Sequence, residues 1–260
     1  MFNKQFMILC CLISTAPAWA ISNIESQNPG QPEEGLEGTI KVGLTGKTGD
    51  SREKDYQGSS KITWRFNDDV FLGLIERNYG TTRDIKDTDD AFAHGRWTHL
   101  LSDTWAVEGF GQWEEDEFSN LESRVLLGGG GRYVVAQEED VYSFSLGLGV
   151  FREREKLDLQ TYNETNYAWR ANTFYAYKHQ LNPQVFIVST AYFQPNIDDW
   201  DDIRALVNLG LSVKLTETLN LQVDYKITHD SQPAQNLNAA PPIDNYKTNS
   251  EYSTSLVYKF

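Results

Sequence analysis

Cysteine and long apolar runs are both scarce in this sequence of 260 residues. The only two cysteines, Cys10 and Cys11, lie in an apolar segment near the amino terminus. That segment is too short to cross a bilayer as a helix, which takes about 20 apolar residues. If the segment is removed, the chain keeps no disulfide and no thiol chemistry. The sequence therefore argues against a disulfide-stapled secreted domain and against a transmembrane helix.

Basic residues and catalytic motifs are also few. The chain has 23 lysine and arginine residues against 37 acidic ones, which gives a net charge of -14. This charge opposes binding to nucleic acid or to an acidic membrane surface. No G-x-S-x-G, H-E-x-x-H or paired-cysteine motif occurs. The four histidines stand in no recognisable pattern with a serine; they are His94, His99, His179 and His229.

The amino-terminal segment has the order of a secretory signal peptide. Lys4 precedes the apolar stretch, and Ala-Trp-Ala at 18–20 has the form of a cleavage site. We expect residues 1–20 to be removed after export. Residues 21–35 are rich in proline and glutamate and indicate a flexible lead-in. Residues 36–260 are then the folded domain.

Alternating hydropathy is the strongest pattern in that domain. The last nine residues, YSTSLVYKF, place aromatic and apolar residues on one parity and mostly polar ones on the other. A period of two indicates a strand. In a soluble β-sandwich, a strand ending on Phe260 would expose an apolar edge. In a closed membrane barrel the last strand pairs with the first, and the ring lies in the aromatic belt.

Similar segments recur along the chain and predict about 12 strands of about 10 to 13 residues, close to the length of a tilted spanning strand. The mean hydropathy of -0.51 agrees, because only alternate residues of such a strand face lipid. Short and long connections alternate. The long ones are expected at 49–55, 81–90, 114–119, 152–165, 196–201 and 229–248. We therefore predict an all-β fold, a single transmembrane antiparallel up-and-down barrel with both termini in the periplasm.

The stretch from 113 to 135, WEEDEFSNLESRVLLGGGGRYVV, resembles the YdiY-like salt-induced outer-membrane proteins, which are built on the domain of unknown function 481. The positions that carry the resemblance are Asp116, Phe118, Leu121, Arg124, Gly128 to Gly131 and Tyr133. Arg132 departs from the family's Gly-x-Gly-Tyr ending. The resemblance implies a barrel in the bacterial outer membrane and implies no particular chemistry. A terminal aromatic such as Phe260 also resembles the signal that the barrel-assembly machinery recognises.

Charged residues on the inward parity are the candidate site, because charges are not tolerated against lipid. The candidate lumen residues are Arg65, Arg96, Glu108, Arg124, Arg132, Arg170, Arg204, Lys214, Asp224 and Lys226. Lys41, Lys61, Glu76 and Glu122 share their parity. Two interpretations stay open. These charges pair and fill a structural barrel, or they form a basic constriction that favours anions.

Acidic residues cluster in the predicted outer loops, at 87–90, 114–117 and 198–202. Carboxylates of this kind bind Ca²⁺ or Mg²⁺ and so bridge to lipopolysaccharide phosphates, or they form a solvated rim. The candidate ligands in the last cluster are Asp198, Asp199, Asp201 and Asp202.

The function expected from the sequence is a non-enzymatic envelope role or narrow solute passage. The alternatives are an anion-leaning diffusion channel and an outer-membrane lipid hydrolase, whose catalytic residues need not be close in sequence. We expect outer-membrane lipids and lipopolysaccharide as partners and no cofactor. The sequence gives no oligomeric state.

Overall fold

Twelve antiparallel strands form a closed barrel in a computed structural model that describes residues 32–47, 52–138, 141–159, 162–233, 235–236, 243–244 and 246–260. The strands are β1 (Gly35–Lys47), β2 (Glu53–Phe66), β3 (Asp69–Thr82), β4 (Ile85–Leu100), β5 (Trp105–Asp116), β6 (Leu121–Glu138), β7 (Tyr142–Asp158), β8 (Asn163–Asn182), β9 (Val185–Pro195), β10 (Ile203–Lys214), β11 (Leu219–Asp230) and β12 (Thr248–Lys259). Each pairs with its neighbours in sequence, so the barrel is up-and-down. The predicted all-β, antiparallel up-and-down barrel of about 12 strands is confirmed. The predicted signal peptide, 1–20, lies outside the described residues.

The barrel closes between its first and last strands. Thr39 of β1 lies opposite Lys259 of β12, and the pairing continues to Val42 and Leu256. Beyond β12, the backbone N–H of Phe260 donates to the carbonyl of Gly38 at 3.0 Å, and the reverse bond has the same length. Both termini of the barrel therefore lie at the end that carries the short turns. A two-residue ladder, Gln235–Asn236 with Ile243–Asp244, is separate from the barrel.

Hydropathy alternation follows the two faces of the wall. On β7, Leu148 is exposed over 67% of its surface on the outer face, whereas Ser145 and Phe151 are buried in the lumen. β9 is apolar on both parities, and its facing could not be predicted. The structure buries Val188 and Tyr192 and exposes Phe193. No helix in the part of the chain described here is long and apolar enough to cross a membrane.

Three of the predicted long connections are wrong. Arg83 and Asp84, at φ values of 53° and 62°, form the whole link between β3 and β4. β5 continues to Asp116 before one 3-10 turn, and β7 continues to Asp158. Strand hydrogen bonding thus continues past the segments of alternating hydropathy into segments that are polar on both faces. The end of hydropathy alternation is therefore not the end of the strand.

The interior of the barrel contains packed apolar side chains. Phe174, Tyr192 and Leu206 form one buried cluster, and Leu72, Leu74 and Phe92 form a second. On β7, Gly147 makes room for the ring of Phe174, since a Cβ at that position would overlap the ring. Gly128 does the same for Phe151 and Phe110. These two glycines therefore leave space in the lumen for large aromatic side chains.

Candidate functional site

A layer of buried charges lies in the lumen, toward the ends of the strands that carry the longer connections. We call it the arginine–carboxylate layer. It consists of Glu114, Arg124, Glu153, Glu155, Arg170, Asp202, Arg204 and Asp230. Its three guanidinium groups face five carboxylates. Burying a charge is costly unless it is paired and hydrogen-bonded, so the contacts within the layer decide its stability.

Arg124 on β6 joins the two neighbouring strands. Its Nη1 donates to Glu114 Oε1 on β5 at 2.8 Å. Its Nη2 donates to Glu155 Oε2 on β7 at 2.5 Å, and its Nε donates to the same oxygen at 3.0 Å. One guanidinium therefore uses three of its donors on two carboxylates, which is the fork geometry that favours arginine over lysine.

Arg204 on β10 reaches across the concave inner wall to β7. Its Nη1 donates to Glu153 Oε2 at 2.5 Å, and its Nη2 donates to Glu155 Oε2 at 3.0 Å. Its Nε donates to Asp230 Oδ2 on β11 at 3.2 Å. Since β8 and β9 separate β7 from β10 in the sheet, the pair with Glu153 spans the lumen side of two intervening strands.

Arg170 on β8 lies beneath that crossing, and its side chain is 2% exposed. Its Nη2 donates to Asp202 Oδ2 at 2.6 Å. Its Nη1 donates to the backbone carbonyls of Gln194 at 3.2 Å and Asp202 at 3.3 Å. Its Nε lies 3.6 Å from Glu153 Oε1. Glu153 is therefore shared by Arg170 and Arg204, and the layer includes contacts from seven consecutive strands, β5 to β11.

A second group of charges lies nearer the short turns, on β4, β5 and β6. Glu108 Oε1 accepts from Arg132 Nε at 2.8 Å and lies 4.0 Å from Arg96 Nη1. Arg132 also lies over the ring of Phe174, 5.1 Å from its centroid. The three charged side chains are largely shielded from solvent. Through the contact of Arg132 with Phe174, this group packs against the neighbouring apolar cluster.

Two further inward ion pairs lie on the strands beside the closure of the barrel. Lys41 Nζ on β1 donates to Asp224 Oδ2 on β11 at 3.1 Å. Lys226 Nζ lies 3.1 Å from Glu251 Oε2 on β12. These contacts bring acids and bases from distant parts of the sequence into the lumen.

Four lysines lie around the short-turn mouth of the lumen. Lys61, Lys178 and Lys259 lie near enough to repel one another, and Glu37 is an acidic neighbour of Lys61. The ammonium groups of Lys178 and Lys259 each lie 5.5 Å from the ring centroid of Phe186. We call Lys61, Lys178, Lys214 and Lys259 the lysine mouth.

Two predicted lumen residues lie at the rim of this mouth. Lys214 donates to Glu217 in the following turn at 2.8 Å, and its side chain is 37% exposed. Arg65 donates to the carbonyls of Pro32 at 2.8 Å and Asn67 at 3.3 Å. Glu122 was expected to point inward, and this is wrong. A bulge between Leu121 and Ser123 turns Glu122 outward, where it contacts Lys156.

The acidic clusters are not a uniform solvated rim. Glu114 and Asp116 are buried, and Asp90 accepts from Asn78 Nδ2 at 2.8 Å within the barrel. Of the proposed metal ligands, Asp202 is engaged by Arg170, while the others are exposed; these are Asp198, Asp199 and Asp201. Within the described ranges, no three carboxylate, histidine or cysteine side chains are arranged to hold a metal ion.

The histidines have ordinary polar neighbours. His94 Nδ1 lies 3.2 Å from Gln112 Oε1, and His99 Nδ1 lies 2.9 Å from Asp69 Oδ1. His179 and His229 contact Tyr177 and Thr248. None of these contacts forms a relay from a serine through a histidine to a carboxylate.

Sequence reasoning missed all five carboxylates of the arginine–carboxylate layer, and Asp230 was assigned to the loop 229–248. Glu153 and Glu155 were assigned to a loop, and Glu114 and Asp202 were assigned to an acidic rim. The signal that could have identified Glu153 and Glu155 is the parity of their positions along β7. In Arg-Glu-Arg-Glu-Lys at 152–156, the acids continue the inward series of Phe151.

The sequence from residue 40 to residue 260 matches the model of a protein family of unknown function, DUF481. The chain belongs to the DUF481 family. The resemblance identified from residues 113–135 is thereby confirmed. No curated protein matches the chain significantly.

Solved structures with the same fold are bacterial outer-membrane barrels. The translocator domain of the autotransporter NalP from Neisseria meningitidis has a TM-score of 0.56 at 13% identity, over 91% of this chain and 92% of that one. The NanC porin has a TM-score of 0.53 at 13% identity, over 86% and 100%. The COG4313 outer membrane channel from Pseudomonas putida F1 has a TM-score of 0.51 at 11% identity, over 92% and 100%. At these identities the likeness establishes the fold, and that fold supports an outer-membrane location for the DUF481 chain.

Proposed function

We propose that the protein is a non-enzymatic outer-membrane barrel whose lumen is closed at rest by its own side chains, and that it serves the envelope as a structural barrel. The observation that carries the proposal is the contact of Arg204 with Glu153 at 2.5 Å across β8 and β9. Both side chains are buried, and a water-filled pore at this level would expose them to solvent. The buried apolar cluster of Phe174, Tyr192 and Leu206 supports the same conclusion, because it fills the lumen beside the arginine–carboxylate layer.

Conductance in planar lipid bilayers tests the proposal. We expect no steady conductance from the wild-type chain. The double variant Arg170→Ala with Arg204→Ala removes two guanidiniums from the layer and should conduct. Lys214→Ala, which removes a charge only at the rim, is the matched control and should stay closed. A stable open wild-type channel would contradict the proposal.

A second candidate function is narrow passage that favours anions, and the lysine mouth is the observation that favours it. Cations at a constriction attract anions and repel cations. In the Arg170→Ala, Arg204→Ala variant under a KCl gradient, the reversal potential should shift toward the chloride equilibrium. A shift toward potassium would oppose this candidate.

We also propose that residues 1–20 are removed on export and that the short-turn end faces the periplasm. The proposal is supported by the signal-peptide pattern and by the usual placement of short turns in outer-membrane barrels. Amino-terminal sequencing of protein from the outer-membrane fraction should begin at Ile21. Recovery of Met1 would contradict the first point. Labelling of a cysteine placed at Thr216 by an impermeant reagent on intact cells would contradict the second.

A further inference from the structure

The outer face of β7 carries a row of positive charge near the longer connections. Arg152 and Arg154 are exposed on this face, and the partly exposed Lys156 continues the row. The alternate residues Glu153 and Glu155 point into the lumen. Charges on the outer wall of a membrane barrel are tolerated best at the interface, where the cost falls to about 0–1 kcal/mol. The row is therefore expected at the height of the lipid headgroups.

Aromatic rings on β8 hold one of these guanidiniums in place. Arg152 lies directly across from Trp169, and Arg154 lies across from Tyr167. The guanidinium carbon of Arg152 is 5.5 Å from the ring centroid of Tyr167 and 5.6 Å from that of Trp169. Tyrosine and tryptophan are typical of the membrane interface, and their ring faces attract a cation. The contacts restrict the side chain while its donors stay accessible.

Two other outward bases at this end form ion pairs with carboxylates of the protein. Arg77 pairs with Asp89 and Glu115, and Lys156 pairs with Glu122. In the part of the chain that the structure describes, no carboxylate forms an ion pair with Arg152 or Arg154. The two neighbouring guanidiniums, with no counter-charge among the described residues, each present the planar fork of donors that binds phosphate.

An aliphatic surface continues from this row toward the middle of the barrel. Leu127 of β6 lies across from Arg152, and on the same face of β7 follow Val150 and Leu148. Leu127 is 72% exposed. Val150 and Leu148 lie opposite Gly129 and Gly131, which have no side chains to cover them. A lipid whose phosphate contacts the arginines would lay its acyl chains along this surface.

We propose that Arg152 and Arg154, framed by Tyr167 and Trp169, bind the phosphate of a phosphorylated glycolipid in the outer leaflet. We assign the site to the outer leaflet because the row lies at the end of the barrel that carries the longest connection, 231–247. Outer-membrane barrels direct their long loops outward. Charge complementarity favours a phosphate as the ligand, and the exposed aliphatic surface favours a lipid over a soluble anion. The site lies outside the lumen and does not depend on whether the lumen conducts.

Native mass spectrometry of the full-length chain released from vesicles tests the proposal. The probes are diphosphorylated lipid A, the same lipid A after enzymatic removal of its phosphates, and phosphatidylglycerol. Arg152→Gln with Arg154→Gln should weaken the binding of lipid A about a hundredfold, or about tenfold for each charged contact removed. Arg77→Gln, which removes an outward arginine that is already paired, is the matched control and should change binding less than about threefold by the same reasoning. Dephosphorylated lipid A should bind the wild-type chain as weakly as the double variant binds lipid A.

Three results would overturn the proposal. The first is a double variant that binds lipid A as tightly as the wild-type chain. The second is equal binding of phosphatidylglycerol and lipid A by the wild-type chain, which would assign the row to bulk anionic phospholipid. The third is equal loss of binding in Arg77→Gln. Heat-dependent gel mobility verifies the barrel. If the double variant does not fold, Arg154→Gln alone, which should cost about tenfold, replaces it.

Discussion

The two ends of the lumen use charge in opposite ways. At one end, the arginine–carboxylate layer interlocks three arginines with five carboxylates, and its members are buried. At the other, the lysine mouth gathers four like charges, two of them beside Phe186, with Glu37 and Glu217 as acidic neighbours. The difference indicates that the first end holds the wall together, whereas the second is suited to attract a mobile anion. The predictions below separate the two ends, in order of decreasing effect.

Removal of Glu153 should give the largest effect. Glu153→Ala leaves both Arg170 and Arg204 without a shared acceptor in a buried layer. Breaking a buried ion pair costs about 3–5 kcal/mol, and with two arginines affected we expect about 4–5 kcal/mol of unfolding free energy. Guanidinium unfolding in vesicles measures it. A loss below about 1 kcal/mol, the size expected of an exposed pair, would show that the layer is solvated.

Truncation of Phe174 tests the apolar level between the two ends. Phe174→Ala removes a buried ring that packs on Gly147, Tyr192 and Leu206, and it also removes the contact with Arg132. Phenylalanine-to-alanine changes in a packed core cost about 3–5 kcal/mol, and we expect about 3–4 here. The same unfolding assay applies, with the outward Phe193→Ala as the control. If both variants lose the same stability, Phe174 is not in a packed interior.

Neutralising the lysine mouth should change ion preference more than stability. Lys178→Ala with Lys259→Ala removes two like charges, so unfolding free energy should change by less than about 1 kcal/mol. In the background of Arg170→Ala and Arg204→Ala, the anion preference should decrease, because the positive potential at the mouth is reduced. Reversal potentials with and without the lysine changes give the comparison. An unchanged preference would place the selectivity elsewhere.

The smallest effect is expected at the rim. Glu217→Ala removes the partner of Lys214, and the glutamate side chain is 91% exposed. Solvent-exposed pairs contribute about 0–1 kcal/mol. Unfolding free energies of this variant and of Glu153→Ala, measured side by side, should differ by several kcal/mol. Equal losses would contradict the distinction between the two ends.

The sequence by itself determined the barrel. Period-two hydropathy predicted the strands, and the alternation of short and long connections together with the terminal Phe260 predicted their up-and-down order in a closed barrel. It also identified the inward arginines, such as Arg124 and Arg204. It did not mark the ends of the strands, because hydrogen bonding continues after hydropathy contrast disappears, as it does between β3 and β4.

Only the tertiary structure decided which charges meet. Glu153 and Arg204 are 51 residues apart and belong to strands that do not pair. Their contact depends on the curvature of the closed wall and on side-chain reach, which local periodicity does not contain. Closure of the barrel also separates the two faces of β7. Glu153 and Glu155 lie in the lumen, and Arg152 and Arg154 lie on the outer face. Alternation predicts that neighbouring residues of a strand point to opposite faces of the wall. The residues that each of them contacts are brought together only when the barrel closes.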